Sequence, residues 1–284
     1  MILLKVVTKY LSSNSLYKII KNFFYYKSYV IFLNRYKYQY RKKNIKAKNI
    51  VWIFCTPKSG STFFMTYLIS NLKEYKKISL LPYWKDRHQE MDPVTLSNEI
   101  NKYPLKKNFF TERHHSRFNH HINNYLSKNH KIIIQTRDIY KTLLSLKDFI
   151  DDKLEFSQWF YLDKKIWNTY TDEQKINYLT INYVPWHITF LLSWYYAQVP
   201  CEKNFINYKE VVSEPGKILK RILEYKVTDK NISLNKKEVF FKVGLERKNT
   251  LTKIQEQKIN QIIDENLINH SNEAKNNIYK MINE

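Results

Sequence analysis

The chain has 284 residues, 43% of them hydrophobic, which is enough for one large α/β domain with a substantial core and excludes a disordered protein. Lysine and arginine number 48 against 26 acidic residues, a net charge of +22, so the surface attracts anions, although a general excess of Lys, Asn, Ile and Tyr explains the charge equally well. Two cysteines, Cys55 and Cys201, exclude a disulfide framework and a thiolate metal site, and they suit a reducing, cytoplasmic compartment.

Residues 1–48 read as a basic helical N-terminal segment. Lys5, Lys9, Lys18, Lys21 and Lys27 interrupt its apolar stretches before a membrane-spanning length is reached, and it lacks the apolar run and cleavage site of a signal peptide. A basic helix of this kind suits packing on the domain or peripheral contact with an anionic membrane surface. The Tyr-rich basic stretch from Tyr36 to Lys43 comes with no RNA- or DNA-reading motif, so no nucleic-acid partner is expected.

The folded domain is expected to start near Asn49. The apolar run Ile50–Cys55 predicts a central parallel strand, followed by a turn and a helix over 62–72. Further strands are predicted at 108–111, 131–136 and 204–207. Helices are predicted at 119–126, at 139–150 with Ile139, Leu143, Leu146 and Ile150 on one face, and at 186–197. Ser213, as N-cap before Pro215, opens a helix to Tyr225, and Thr252 with Gln255 makes a capping box for a C-terminal helix. Strands alternating with helices imply a P-loop-NTPase-like α/β architecture: one parallel sheet flanked by helices, preceded by the basic N-terminal segment.

The strand-to-helix turn Thr56-Pro57-Lys58-Ser59-Gly60-Ser61-Thr62-Phe63 has the composition of an anion site. Its backbone N–H groups and the positive end of the helix dipole converge, Gly60 permits close approach, Lys58 adds a full charge, and Ser59, Ser61 and Thr62 add hydroxyl donors. A nucleotide triphosphatase loop would place its lysine directly after the second glycine, whereas Lys58 precedes the loop's only one. Downstream, Arg137 stands at the carboxyl end of the strand 131–136, where ligands bind in such sheets.

Together these stretches resemble the PAPS-dependent sulfotransferases, where PAPS is 3′-phosphoadenosine 5′-phosphosulfate. The first is similar to that family's 5′-phosphosulfate loop. Arg137 with Ser145 eight positions on and Phe149 four further matches the family's 3′-phosphate segment, and the run Phe205–Val212 matches a strand segment whose Tyr208 lies beside the nucleotide. A shorter likeness, Phe241–Lys248, implies that Lys242, Gly244 and Arg247 close over the 3′-phosphate, although this stretch lacks the family's Trp. The resemblance implies a sulfotransferase domain over 49–284 that moves a sulfuryl group from PAPS to an acceptor hydroxyl, of a carbohydrate or another small molecule. It also implies a catalytic His in the turn Thr111–Arg117, where His115 suits the family's spacing to Arg137 better than His114.

Lys58 is placed to supply the transition-state cation and His115 the base. The transferred sulfuryl group carries less charge than a phosphoryl group, so no metal is expected. His120, His121 and His130 read as surface residues, His187 as a packed core histidine, and Trp159, Trp167, Trp186 and Trp194 as core residues or sugar-stacking platforms. Two alternatives stand beside this reading: a P-loop kinase, which would need another glycine spacing and an Asp at a strand end, and a non-catalytic polyanion-binding module, which charge alone supports.

Overall fold

Asn49–Cys55 carry no charged side chain and form the central strand, β1, of a five-stranded sheet. The computed structural model describes residues 49–78, 108–111, 114–153, 156–157, 162–224 and 250–284. On one side β1 pairs with β3 (Asn108–Thr111), which pairs in turn with β2 (Tyr75–Ile78). On the other side it pairs with β4 (Lys131–Thr136), in the register Val51↔Lys131 to Cys55↔Gln135, and β4 pairs with β7 (Glu202–Asn207). All four pairings are parallel, and the order is β2-β3-β1-β4-β7.

A parallel strand covered on both faces need not alternate apolar with polar residues, and β1 does not. Ile50, Trp52 and Phe54 enter one core, while Val51 and Ile53 enter the other. The first core is closed by α3 (Ile139–Lys153), α5 (Asp172–Tyr196), α8 (Lys253–Leu267) and α9 (Asn272–Asn283). The second is closed by α1 (Ser61–Asn71), α6 (Tyr208–Ser213) and α7 (Pro215–Leu223). Two shorter helices, α2 (His120–Asn123) and α4 (Lys164–Thr169), and a two-stranded ribbon of β5 (Phe156–Ser157) and β6 (Leu162–Asp163) complete the described elements. The α/β class and the parallel, helix-flanked sheet are those the sequence indicated.

Two local expectations are corrected. Helix α5 does not begin at Trp186. It begins at Asp172, behind a capping box of Thr171 and Gln174, and continues through Pro185 for 25 residues. Ser213 is not the N-cap of α7 but the last residue of α6, and Glu214 takes the N-cap position with Pro215 in the first turn. The segment before α6 ends in a capping box of its own, Asn207 with Glu210, which ends the strand at Asn207. No helix among the described residues is long and apolar enough to cross a membrane. The N-terminal segment 1–48 lies outside them.

Candidate active site

Between the end of β1 and the start of α1, Thr56–Gly60 redirect the chain in five residues. Lys58 and Gly60 both adopt left-handed backbone, with φ of 59° and 81°. For Gly60 this conformation is free, whereas for Lys58 it costs about 1 kcal/mol or more. Bonds to the sheet hold the loop in place. Thr56 N donates to Gln135 O (2.9 Å), the Gln135 side-chain amide donates to Ser59 O, and Arg137 Nη1 donates to Lys58 O (2.9 Å). Ser59 Oγ donates within the loop to Thr56 O (2.6 Å), so this buried hydroxyl shapes the turn. Gly60 is the N-cap of α1 and has no side chain to close the first turn, so no capping side chain competes with an anion at the helix's positive end.

Residues distant in sequence close around this loop. The Arg137 guanidinium lies 4.1 Å from the ring centroid of Tyr208, the first residue of α6. That ring packs against Gly60, where a Cβ would sit 3.0 and 3.1 Å from two of its carbons. Lys58 Nζ lies 4.3 Å from the ring of Phe149 on α3. Ser145 is buried four residues before Phe149, hence on the same face of α3. Lys58, Gly60, Arg137, Phe149 and Tyr208 thus form one cluster at the carboxyl ends of β1, β4 and β7. Two cations rest on aromatic faces there, a geometry that holds them without neutralising their charge.

Beyond β3 the chain returns to β1. His114 forms a parallel bridge with Phe54, its N–H donating to Ile53 O (3.0 Å) and its carbonyl accepting from Cys55 N (2.8 Å). The two adjacent imidazoles then face different neighbours. The His114 ring lies 6.3 Å from the Phe54 ring, while His115 Nδ1 lies 2.6 Å from Cys55 O and 3.6 Å from Cys55 Sγ. A carbonyl oxygen can only accept, so Nδ1 carries the proton and Nε2 keeps its lone pair, the tautomer a general base requires. Both rings are buried.

Of the remaining histidines, His120 is exposed, as expected, and His121 half-buried. His130 is fully buried, a correction to its reading as a surface residue. Its Nδ1 accepts from the Trp52 indole (3.2 Å) and from Ser127 N (3.3 Å), which ties the turn before β4 into the core, and burial lowers its pKa to about 4. His187 is a core histidine. Its Nδ1 lies 2.9 Å from the Tyr183 hydroxyl and its Nε2 3.5 Å from Thr136 Oγ1, and burial brings its pKa down to about 3. Burial also raises the Tyr183 phenol well above its ordinary value; Cys55 adds to this, and Thr56 and Arg137 oppose it. Gln135 and Tyr183 therefore support the site from below, and neither was singled out in the sequence. Gln135 had a signal: an amide that directly follows three buried isoleucines in a strand needs a partner.

Trp167 and Trp194 are fully buried, their indoles bonded to Asp151 Oδ1 (2.7 Å) and Ser116 O (3.0 Å), and Trp186 is half-buried beside Tyr183 and Phe190. Trp159, Lys242, Gly244 and Arg247 lie outside the described residues. No group of three or more His, Cys, Asp or Glu among the described residues is arranged to hold a metal ion.

No protein-family model and no curated protein sequence matches the chain. Among solved structures it is similar to mouse sulfotransferase SULT7A1 complexed with PAP, with a TM-score of 0.51 and 16% identity, covering 87% of this chain and 92% of that one. It also matches retinol dehydratase in complex with androsterone and inactive cofactor PAP, with a TM-score of 0.43 and 12% identity over 81% and 85% of the two chains. The parallel sheet with helices on both faces, in the order described, is therefore the sulfotransferase fold.

Proposed function

We propose that the chain is a sulfotransferase that moves a sulfuryl group from PAPS to an acceptor hydroxyl, carried by a carbohydrate or another small molecule. One observation carries the proposal: Lys58, Arg137 and Tyr208, from three separate segments, meet around the glycine of a single strand-to-helix loop. The residues present fit such a donor. Protein donors take up the carbonyls of Thr56, Lys58 and Ser59, and the turn presents left-handed backbone, the Lys58 ammonium and an uncapped helix start to an anion.

The donor supplies an activated sulfuryl group and a phosphate leaving group. Lys58 offers positive charge to the leaving phosphate, where charge develops as the sulfur–oxygen bond breaks. His115 Nε2 takes the hydroxyl proton as the acceptor oxygen bonds to sulfur, and the Nδ1–H bond to Cys55 O stabilises the resulting imidazolium. Arg137, Ser145 and Tyr208 hold the 3′-phosphate end, with Lys242, Gly244 and Arg247 assigned to the same end by resemblance.

Thermal unfolding in the presence of ligands tests the proposal. PAP, 3′-phosphoadenosine 5′-phosphate, should raise the Tm more than ATP with magnesium, because ATP lacks a 3′-phosphate. Equal or greater stabilisation by ATP would favour the kinase alternative. Arg137→Ala should weaken PAP binding by roughly 30-fold or more, the loss of about 2 kcal/mol expected for a charge-assisted contact. Labelled PAPS incubated with fractionated glycans, lipids and small metabolites would reveal the acceptor.

A further inference from the structure

The segment that carries His115 is fastened on both sides of that residue. One residue before it, His114 is bonded to β1 through both its N–H and its carbonyl. One residue after it, the carbonyl of Ser116 accepts from the indole N–H of Trp194 on α5, at 3.0 Å. Two residues further, Phe118 N donates to Ser193 Oγ, at 2.9 Å. Trp194 is fully buried, its ring 4.1 Å from that of Phe54 and 5.3 Å from that of Phe118, so the indole cannot swing away from the segment it holds.

The helix end that bears Trp194 is itself fixed. Lys203 of β7 donates to the carbonyls of Trp194 and Tyr195, both at 3.0 Å, and of Ala197 at 2.7 Å. The backbone of His115 is therefore suspended between β1 and α5. Its tautomer is set by the short bond from Nδ1 to Cys55 O, and the backbone position of His115 decides how well that bond is aligned.

We propose that Trp194, assisted by Ser193, is the positioning residue of the base: its indole N–H fixes Ser116 and thereby holds His115 with Nδ1 on Cys55 O, the tautomer in which Nε2 is the proton acceptor. This rests on His115 being the base of the sulfuryl transfer proposed above. Trp194 acts through the backbone of Ser116, so its removal changes turnover and leaves donor binding intact.

The test uses Trp194→Phe, which keeps the ring contacts and removes the N–H. Nitrogen-15 histidine spectra of the full chain, with His115 assigned by its loss in His115→Ala, should show a single Nδ1–H tautomer in the wild type and a mixture in Trp194→Phe. Trp167→Phe deletes a different buried indole bond and should leave the His115 signals in place. In kinetics, Trp194→Phe should lower kcat roughly 10- to 10²-fold, with the KM for PAPS and the affinity for PAP changed less than twofold. In a His115→Ala background the same substitution should have no further effect.

An unchanged His115 spectrum in Trp194→Phe, or an equally large loss of kcat in the His115→Ala background, overturns the positioning role. Full activity of His115→Ala would instead remove His115 as the base, while the spectra still decide whether Trp194 sets its tautomer. Should Trp194→Phe not fold, Ser193→Ala takes its place: a shifted His115 tautomer supports the role and an unchanged one overturns it.

Discussion

Gly60 meets two demands at once, a left-handed backbone and the absence of a Cβ where the Tyr208 ring packs, so Gly60→Ala should cost roughly 1–3 kcal/mol in urea unfolding and weaken PAP binding. Lys58 shares the backbone conformation without the excuse of being glycine, which separates its two roles experimentally. Lys58→Ala and Lys58→Gly should both lower turnover by a factor of roughly 10² to 10³, but the glycine variant should be the more stable by about 1 kcal/mol. His115→Ala should lower turnover by roughly 10² to 10⁴ with PAP affinity kept, whereas His114→Ala should lower the Tm, since its ring is buried beside Phe54, and leave the folded enzyme active. His130 and His187 add a pH dependence. Their native pKa values, about 4 and about 3, lie below the ordinary 6.5, so the unfolded chain takes up protons that the native state refuses. The stability that these two residues lend is complete above pH 6.5 and is lost as the pH falls toward 4 and 3. Together they should make unfolding easier by roughly 2–3 kcal/mol per pH unit between pH 6 and 5. His187→Gln should remove about half of that slope, and a slope unchanged in this variant would show that another group titrates there.

Helix α5 shows why some elements were hidden in the sequence. Pro185 reads as a break, yet the helix runs through it, because the carbonyl it leaves unbonded, that of Ile181, lies on the exposed side of the helix where water can serve it. The true start was written in the capping pair Thr171 and Gln174. Strand β2 escaped for the opposite reason: Lys76 and Lys77 are exposed, as suits a sheet edge guarded against pairing with other chains, and they mask the strand pattern. The strand-to-helix loop, Arg137 and Tyr208, which the fold brings together, could be picked out because each belongs to a short local pattern at a strand end. Trp194 and the Cys55 carbonyl acquire their roles only through strand register and helix packing, which no local spacing encodes. At the far end of α5, Lys203 spends a half-buried cation on three carbonyls, and partial burial lowers its pKa. Lys203→Met should therefore destabilise the protein by roughly 1–3 kcal/mol, measured by urea unfolding, by leaving those carbonyls without a donor.

Across the described residues, the candidate site is assembled from the carboxyl ends of three strands, and the donor motifs in the sequence all lie after Asn49. Deletion of residues 1–48 should accordingly leave PAP affinity within about twofold of the full chain by titration calorimetry, and a folded truncation unable to bind PAP would place the domain boundary elsewhere. The central position of β1 also has a consequence during synthesis. Its first neighbour along the chain is β3, and 59 residues separate Asn49 from its partner Asn108. At about 5–20 residues per second, a ribosome needs roughly 3 to 12 seconds to supply that partner. Throughout that interval Ile50-Val51-Trp52-Ile53-Phe54, the most apolar strand of the sheet, has been made while its two described sheet partners, β3 and β4, have not. Nascent chains halted before Asn108 emerges should therefore bind holdase chaperones through this strand, and chains halted after β4 has emerged should release them.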